Sequence, residues 1–299
     1  MKNIFKAAAL LAAVLMLFCV TGCGDTAGGT PATPAEPTMQ ETPLTLEAIA
    51  AGTITLTNPW STLKYKKNGG AFVNVTASAN TISVAAGDKV ALYADGSANT
   101  YDANTYEWTS FRIGCSADCF VYGNVMSLLS SANFKTAVAI PNTTECAFGE
   151  LFYENTHIKN HAQKALVLPA ITLAEGCYYN MFYGCTSLTD APELPATTLA
   201  DSCYSCMFYG CTSLSDAPAL PATTLADECY KHMFSGCSSL NTVICLATGI
   251  SAYDCTYYWL DDVASSGTFT KAASMTGWTR GESGIPSGWT VVDYTPSQQ

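Results

Sequence analysis

Arginine is nearly missing from this 299-residue chain, which has only Arg112 and Arg280. Charged residues make up 12% of it, and acidic residues outnumber basic ones 24 to 13, for a net charge of −11. So few cations leave no basic stripe for a nucleic-acid backbone, so nucleic acid is not expected as a partner. Histidine is scarce as well, at three. His157 and His161 stand four apart, as zinc ligands on a helix can, but Ile158-Lys159-Asn160 between them lacks the glutamate of a zincin and no third ligand is evident. Cys115-Ser116-Ala117-Asp118-Cys119 has one residue too many for a CxxC redox or zinc pair and reads as a loop. Glycine-rich phosphate loops and a Gly-x-Ser-x-Gly elbow are also missing. With no nucleophile, base or metal constellation, the chain is expected not to be an enzyme and to need no cofactor or metal.

What the chain does have begins with a processing segment. Lys2 and Lys6 precede an apolar run from Ala7 to Phe18, within the ~7–15 residues of a signal-peptide core and too short for a membrane span. Val20-Thr21-Gly22-Cys23 resembles the lipobox of bacterial lipoproteins. The resemblance implies that residues 1–22 are removed and that Cys23 carries the lipid. Acyl chains at about 0.8 kcal/mol per buried methylene then tether the protein to a membrane. Asp25 is not in the second position that marks inner-membrane retention in that family, so the expected place is the outer membrane, at the cell surface. Loss of Lys2 and Lys6 leaves eleven cationic residues against 24 acidic ones, about −13. Residues 23–43, rich in Pro, Thr, Ala and Gly, read as a flexible linker of roughly 60 Å if extended.

Three near-copies of one segment dominate the second half: LPAITLAEGCYYNMFYGCTSLTDAPE from Leu168, LPATTLADSCYSCMFYGCTSLSDAPA from Leu194, and LPATTLADECYKHMFSGCSSLNTVIC from Leu220. A period of twenty-six falls within the ~20–29 residues of leucine-rich repeats, and one such unit cannot bury its own apolar face. In each copy a stretch such as Leu188 to Leu194 reads as extended. Asp201 to Cys211 reads as a helical turn, with Asp201 as N-cap, Cys203 and Met207 on one face by i, i+4 spacing, Phe208 beside them, and Gly210 ending it. Leu151-Phe152-Tyr153 echoes Met207-Phe208-Tyr209 and marks a degenerate first repeat.

Cysteine is abundant, at 14. Cys177, Cys203 and Cys229 share one repeat position, and Cys185, Cys211 and Cys237 another. Parallel vectors stacked about 4.8 Å apart do not suit a disulfide, so these six read as small buried fillers. Cys115 with Cys119, and Cys245 with Cys255, lie outside those positions and are the candidate disulfide pairs. The columns Glu175/Asp201/Asp227 and Asp190/Asp216 read as helix caps and solvated polar positions, with a calcium column as the alternative.

Residues 44–122 show short alternating stretches and turn signals, among them Asn68-Gly69 and Ala85-Ala86-Gly87-Asp88, and predict two hairpins in a β-sandwich. The expected fold class is therefore mixed: a small N-terminal β-sandwich (44–122), a short leucine-rich-repeat solenoid (123–245) and a C-terminal cap (246–299). Cys185-Thr186-Ser187-Leu188, Leu194-Pro195 and Met207-Phe208 resemble the BspA-like leucine-rich repeats of bacterial surface proteins, as do the segments 121–128 and 284–289. The resemblance implies a surface-exposed protein tied to adhesion or host-protein binding.

Positions that differ between copies can be exposed, and they point to Tyr179, Tyr183, Tyr209, Lys231 and His232 as the candidate binding surface. Tyrosine gives contact area at low entropic cost, although these rings could instead merely cover the edges of the repeats. The expected partners are the membrane, through the lipid, and a protein or host matrix ligand. The alternative is a glycan gripped by the sandwich through Trp60, Tyr65 or Trp108.

Overall fold

The computed structural model describes residues 38–296 except 97–98, 103–106 and 144–145. Cys23 and the lipobox lie outside the described residues. Among the described residues fifteen strands appear, in chain order: β1 Thr45–Ala48, β2 Gly52–Thr57, β3 Lys64–Lys67, β4 Val73–Asn74, β5 Thr81–Val84, β6 Lys89–Tyr93, β7 Thr100–Asp102, β8 Glu107–Thr109, β9 Arg112–Cys115, β10 Cys119–Asn124, β11 Ile158–Asn160, β12 Leu166–Val167, β13 Thr242–Cys245, β14 Thr268–Lys271 and β15 Thr290–Asp293. The expected pairing of a sandwich with a leucine-rich-repeat solenoid is not what forms. Among the described residues the sole helix is a 3-10 turn, Val125–Leu128, and no sheet winds into a solenoid or closes into a barrel.

Two features overturn the sandwich. The largest sheet runs β11-β10-β1-β6-β3-β4 with β12 also on β10, so it crosses residue 122 and takes two parallel strands from the segment beyond. The two predicted hairpins also fare differently. Asn68 and Gly69 do adopt positive φ, and β3 pairs with β4 as expected. The turn at 85–88 forms, with the Ala85 N–H bonded to Asp88 Oδ2 at 2.7 Å, but it joins no hairpin. It carries the chain from β5, in the three-stranded sheet β5-β2-β9, to β6 in the seven-stranded one. Alternation is a local property, while strand partner is a tertiary one.

The repeats contain no helix. Their backbone is a run of β-turns with a left-handed residue every fourth position: Gly176, Asn180 and Gly184; Ser202, Cys206 and Gly210; Glu228, His232 and Gly236. Alternate N–H groups close turns within the layer, as Tyr179 does to the Gly176 carbonyl at 2.8 Å. Those between them reach the next copy: Tyr178 to Cys203 O at 3.0 Å, Phe182 to Met207 O at 2.9 Å, Gly184 to Tyr209 O at 2.7 Å. A helix would spend all of these bonds internally. The carboxylates predicted as caps follow suit, since Asp201 Oδ1 accepts from the Asp227 N–H and Asp227 Oδ1 from the Tyr253 N–H, one layer on.

A four-residue turn points two neighbours inward and two outward. Cys177 and Tyr178, Met181 and Phe182, then Cys185 are accordingly buried. Phe152, Phe182, Phe208 and Phe234 stand in one column, with centroids 5.5, 5.4 and 5.6 Å apart and nearly parallel planes. Phe148, Tyr178, Tyr204, Tyr230 and Trp259 form a second column. The six aligned cysteines are buried thiols. Cys185, Cys211 and Cys237 each donate to a carbonyl of an earlier layer at 3.0 Å, so they fill space and satisfy an acceptor. Burial pushes the Cys237 thiol up to about 12.

Layering continues past Thr242, where the sequence repeat fades. Tyr230 donates to Cys255 O and Phe234 to Trp259 O, both at 3.0 Å. The tail then closes over Trp259, whose Nε1 donates to Gly284 O at 2.8 Å while Trp278 stacks on its ring at 5.4 Å. Trp289 is buried and donates to Ala264 O. Beyond Thr242, the Gly284-to-Trp289 motif owes its glycines to close approach: a Cβ at Gly284 would strike Thr279 O, and one at Gly288 Ser265 O.

One column member carries an unused polar group. The Tyr178 hydroxyl is buried and finds no partner among the described residues. Tyr178→Phe, which copies Phe148 one layer away, is expected to raise unfolding free energy by about 1 kcal/mol, because an unpaired buried hydroxyl costs about 1–3. Urea denaturation checks this, and a loss of stability would mean the hydroxyl is satisfied.

Candidate functional site

The turn ladder also sets side chains on its outer face in register. Tyr153, Tyr183 and Tyr209 occupy one position in successive layers, the outward residue just after the column phenylalanine. Their rings stack at 4.9 and 4.6 Å, with planes 12° and 2° apart. They are half-buried, and burial raises the hydroxyl pKa of Tyr153 and Tyr183. Arg112 caps one end: its guanidinium lies 4.6 Å over the Tyr153 ring and is held by Glu150 Oε2 at 2.6 Å. At the other end His232 meets Tyr209 edge-on at 6.3 Å, then Tyr257 at 5.5 Å and Tyr258 at 5.7 Å. Arg112, the three tyrosines, His232 and the Tyr257–Tyr258 pair thus form one continuous aromatic stripe.

Of the five residues the sequence singled out, Tyr183, Tyr209 and His232 come together here. Lys231 lies beside the stripe and pairs with Glu228 at 3.0 Å. Tyr179 is half-buried, and burial raises its hydroxyl, but it makes no ring contact with the stripe among the described residues. Its copies at the same position are Ser205 and Lys231, so no ladder can propagate from it. Tyr153 was legible through the Leu151-Phe152-Tyr153 echo. Tyr257 and Tyr258 stand twenty-six residues after Lys231 and His232, a signal hidden by the loss of leucines around them. Arg112 had no sequence signal, because β9 reaches this face through the three-stranded sheet.

Other candidates fall elsewhere. Trp60 is 4% exposed and donates Nε1 to Asn99 Oδ1, so it offers no platform to a sugar. Tyr65 is partly buried against the core, and the side chain of Trp108 lies outside the described residues. His157 bonds Asp118 through Nδ1 at 3.0 Å, whereas His161 packs edge-on against Phe120 and Tyr122, so the two imidazoles serve different neighbours. All twelve described cysteines are free thiols, so neither Cys115 with Cys119 nor Cys245 with Cys255 is joined. Cys245 and Cys255 are buried, and burial raises both thiols.

The site of His232 disfavours its charged form. Burial, then the Lys231 charge, depresses its pKa below 6.5, and its Nδ1 is buried without a partner among the described residues. The unfolded chain therefore binds this proton more readily than the folded one. Stability is intact above about pH 6.5 and declines as pH falls below it. His232→Asn, the residue found at the equivalent Asn180, is expected to shrink the difference in unfolding free energy between pH 8 and pH 5. An unchanged difference would place the titration elsewhere.

Comparison of the chain with family models, with curated proteins and with solved structures returns no match.

Proposed function

We propose that this is a lipid-anchored cell-surface protein that binds another protein, or a host matrix component, through the aromatic stripe, and that it is a binding module, not an enzyme. The observation that carries the reading is the row Tyr153, Tyr183 and Tyr209. Stacking fixes these rings before any ligand arrives, so little side-chain entropy remains to be lost on binding. Tyr183 is covered on both faces and Tyr153 by Tyr183 and Arg112, so only Tyr209 keeps a face on which no ring stacks. A pyranose needs a free ring face, while a peptide backbone can use a row of hydroxyls. The protein reading is therefore favoured over the glycan one on this surface. Glu154, Asp254 and Asp261 border the row and the processed chain, with eleven cationic against 24 acidic residues, carries about −13, which suits a partner with a basic contact face.

Cells displaying the full chain test both halves of the proposal. Protease added outside should remove it, and the cells should adhere to one or more members of an immobilised matrix-protein panel, more weakly as salt rises. Tyr183→Ser with Tyr209→Ser should cut that adhesion by about tenfold or more, as loss of central aromatic contacts does. A chain untouched by protease would sink the localisation. Adhesion indifferent to the double variant, or binding to a glycan array alone, would sink the stripe.

A further inference from the structure

We propose that Cys115 and Cys119 form a dithiol that exchanges with small external disulfides and closes into an internal disulfide, with Cys115 as the attacking sulfur. The two residues flank a three-residue turn, Ser116 to Asp118, at the point where the chain leaves one sheet for another. Cys115 ends β9, opposite Ile54 of the three-stranded sheet. Cys119 opens β10, opposite Ala48 of the seven-stranded sheet. Their side chains are neighbours, each shifting the other's pKa. The turn is held from the far side by Asp118, which pairs with His157 at 3.0 Å and Lys159 at 2.7 Å.

Exposure separates Cys115 from the ladder thiols and from Cys119, which is buried. The ladder cysteines donate to carbonyls in a buried interior, which disfavours the thiolate. Cys115 is the reverse case. It is half-buried, and its sulfur accepts from Asn155 Nδ2 at 3.5 Å. The Cys119 thiol is buried and donates to Ala117 O at 3.5 Å. Contact with Cys119, partly offset by burial, lowers the Cys115 pKa, whereas contact with Cys115 and burial raise that of Cys119. One sulfur is thus prepared to attack and the other to resolve.

Exchange proceeds in two steps. Cys115 thiolate attacks one sulfur of an external disulfide, such as a glutathione-type one, and expels the other half as a thiolate. Cys119 then loses its proton and attacks the Cys115 sulfur of the mixed disulfide, releasing the second half. Two protein thiols are oxidised and one external disulfide is reduced to two thiols. The product ties the two sheets together at the turn.

Full-length folded protein, incubated with oxidised glutathione, alkylated and digested, provides the test. The expected peptide spanning both cysteines is two hydrogens lighter and resists alkylation until reduced. Cys119→Ala should stop at a lasting glutathione adduct on Cys115, and Cys115→Ser should abolish adduct and bond alike. The proposal is overturned if wild-type protein keeps the adduct without closing, if Cys206, the other half-buried thiol, reacts first, or if no native thiol reacts. The wild-type readings decide the matter even where a variant does not fold.

Discussion

Replacing Phe208 by alanine should remove about 3–5 kcal/mol of stability, a large share of what a domain possesses. Phe208 is fully buried mid-column, with Phe182 and Phe234 at 5.4 and 5.6 Å and almost coplanar with it. In many cores the surroundings relax into such a hole and lower the cost. Here they cannot, because the Phe208 N–H is bonded to Met233 O at 2.9 Å and its carbonyl accepts the Cys237 thiol. Layers pinned by their backbones keep the spacing, so the cavity stays open and both neighbouring rings lose a face. Phe208→Leu, which retains most of the volume, should cost about 1–2 kcal/mol. Urea titration of both variants is the measurement. A loss below about 1 kcal/mol for the alanine would mean the ring does not occupy the column.

Gly123→Ala should lose about 2–4 kcal/mol, combining left-handed strain with overpacking. Gly123 has φ +88 in β10, and a Cβ there would drive into the Pro43 carbonyl oxygen. Three chain segments converge at the site: Pro43 bridges to Asn124, and the Gly123 N–H donates to Ala165 O at 2.9 Å. None of them can retreat without breaking a backbone bond. Gly69→Ala is the control, since Gly69 also has positive φ, +72, but faces open space. It should cost only about 1 kcal/mol, the strain alone. Equal losses at the two sites would show that Pro43 does not press on Gly123.

Much of the interior was readable from residues alone. The copies at Leu168, Leu194 and Leu220 said which side chains align, and Phe182, Phe208 and Phe234 do share a column. The outward tyrosines followed from the same register. The helix expected from Asp201 to Cys211 did not form, for a specific reason. Apolar residues at i, i+1, i+4 and i+5 suit a 3.6-residue helix and a four-residue turn almost equally over ten residues. The discriminating positions were Ser202 and Cys206, whose left-handed φ of 53° is foreign to a helix, yet neither residue type announces it. Gly210, which suits the end of a helix, is instead one of a series of left-handed positions. Likewise the alternation in 81–84 and 89–93 was sound, but which sheet each strand joined depended on partners far along the chain.

Sequence by itself therefore determined the twenty-six-residue period, the inward and outward assignment within it, and the burial of the six aligned thiols, because side-chain type repeats at fixed intervals. Tertiary structure alone decided that the period is spent as stacked turns and not as helices, and that Arg112, Tyr153, Tyr209 and His232 meet on one face. The physical reason is the destination of the backbone N–H groups. Half of them pair with carbonyls twenty-five residues further on, and nothing local in the chain encodes that choice.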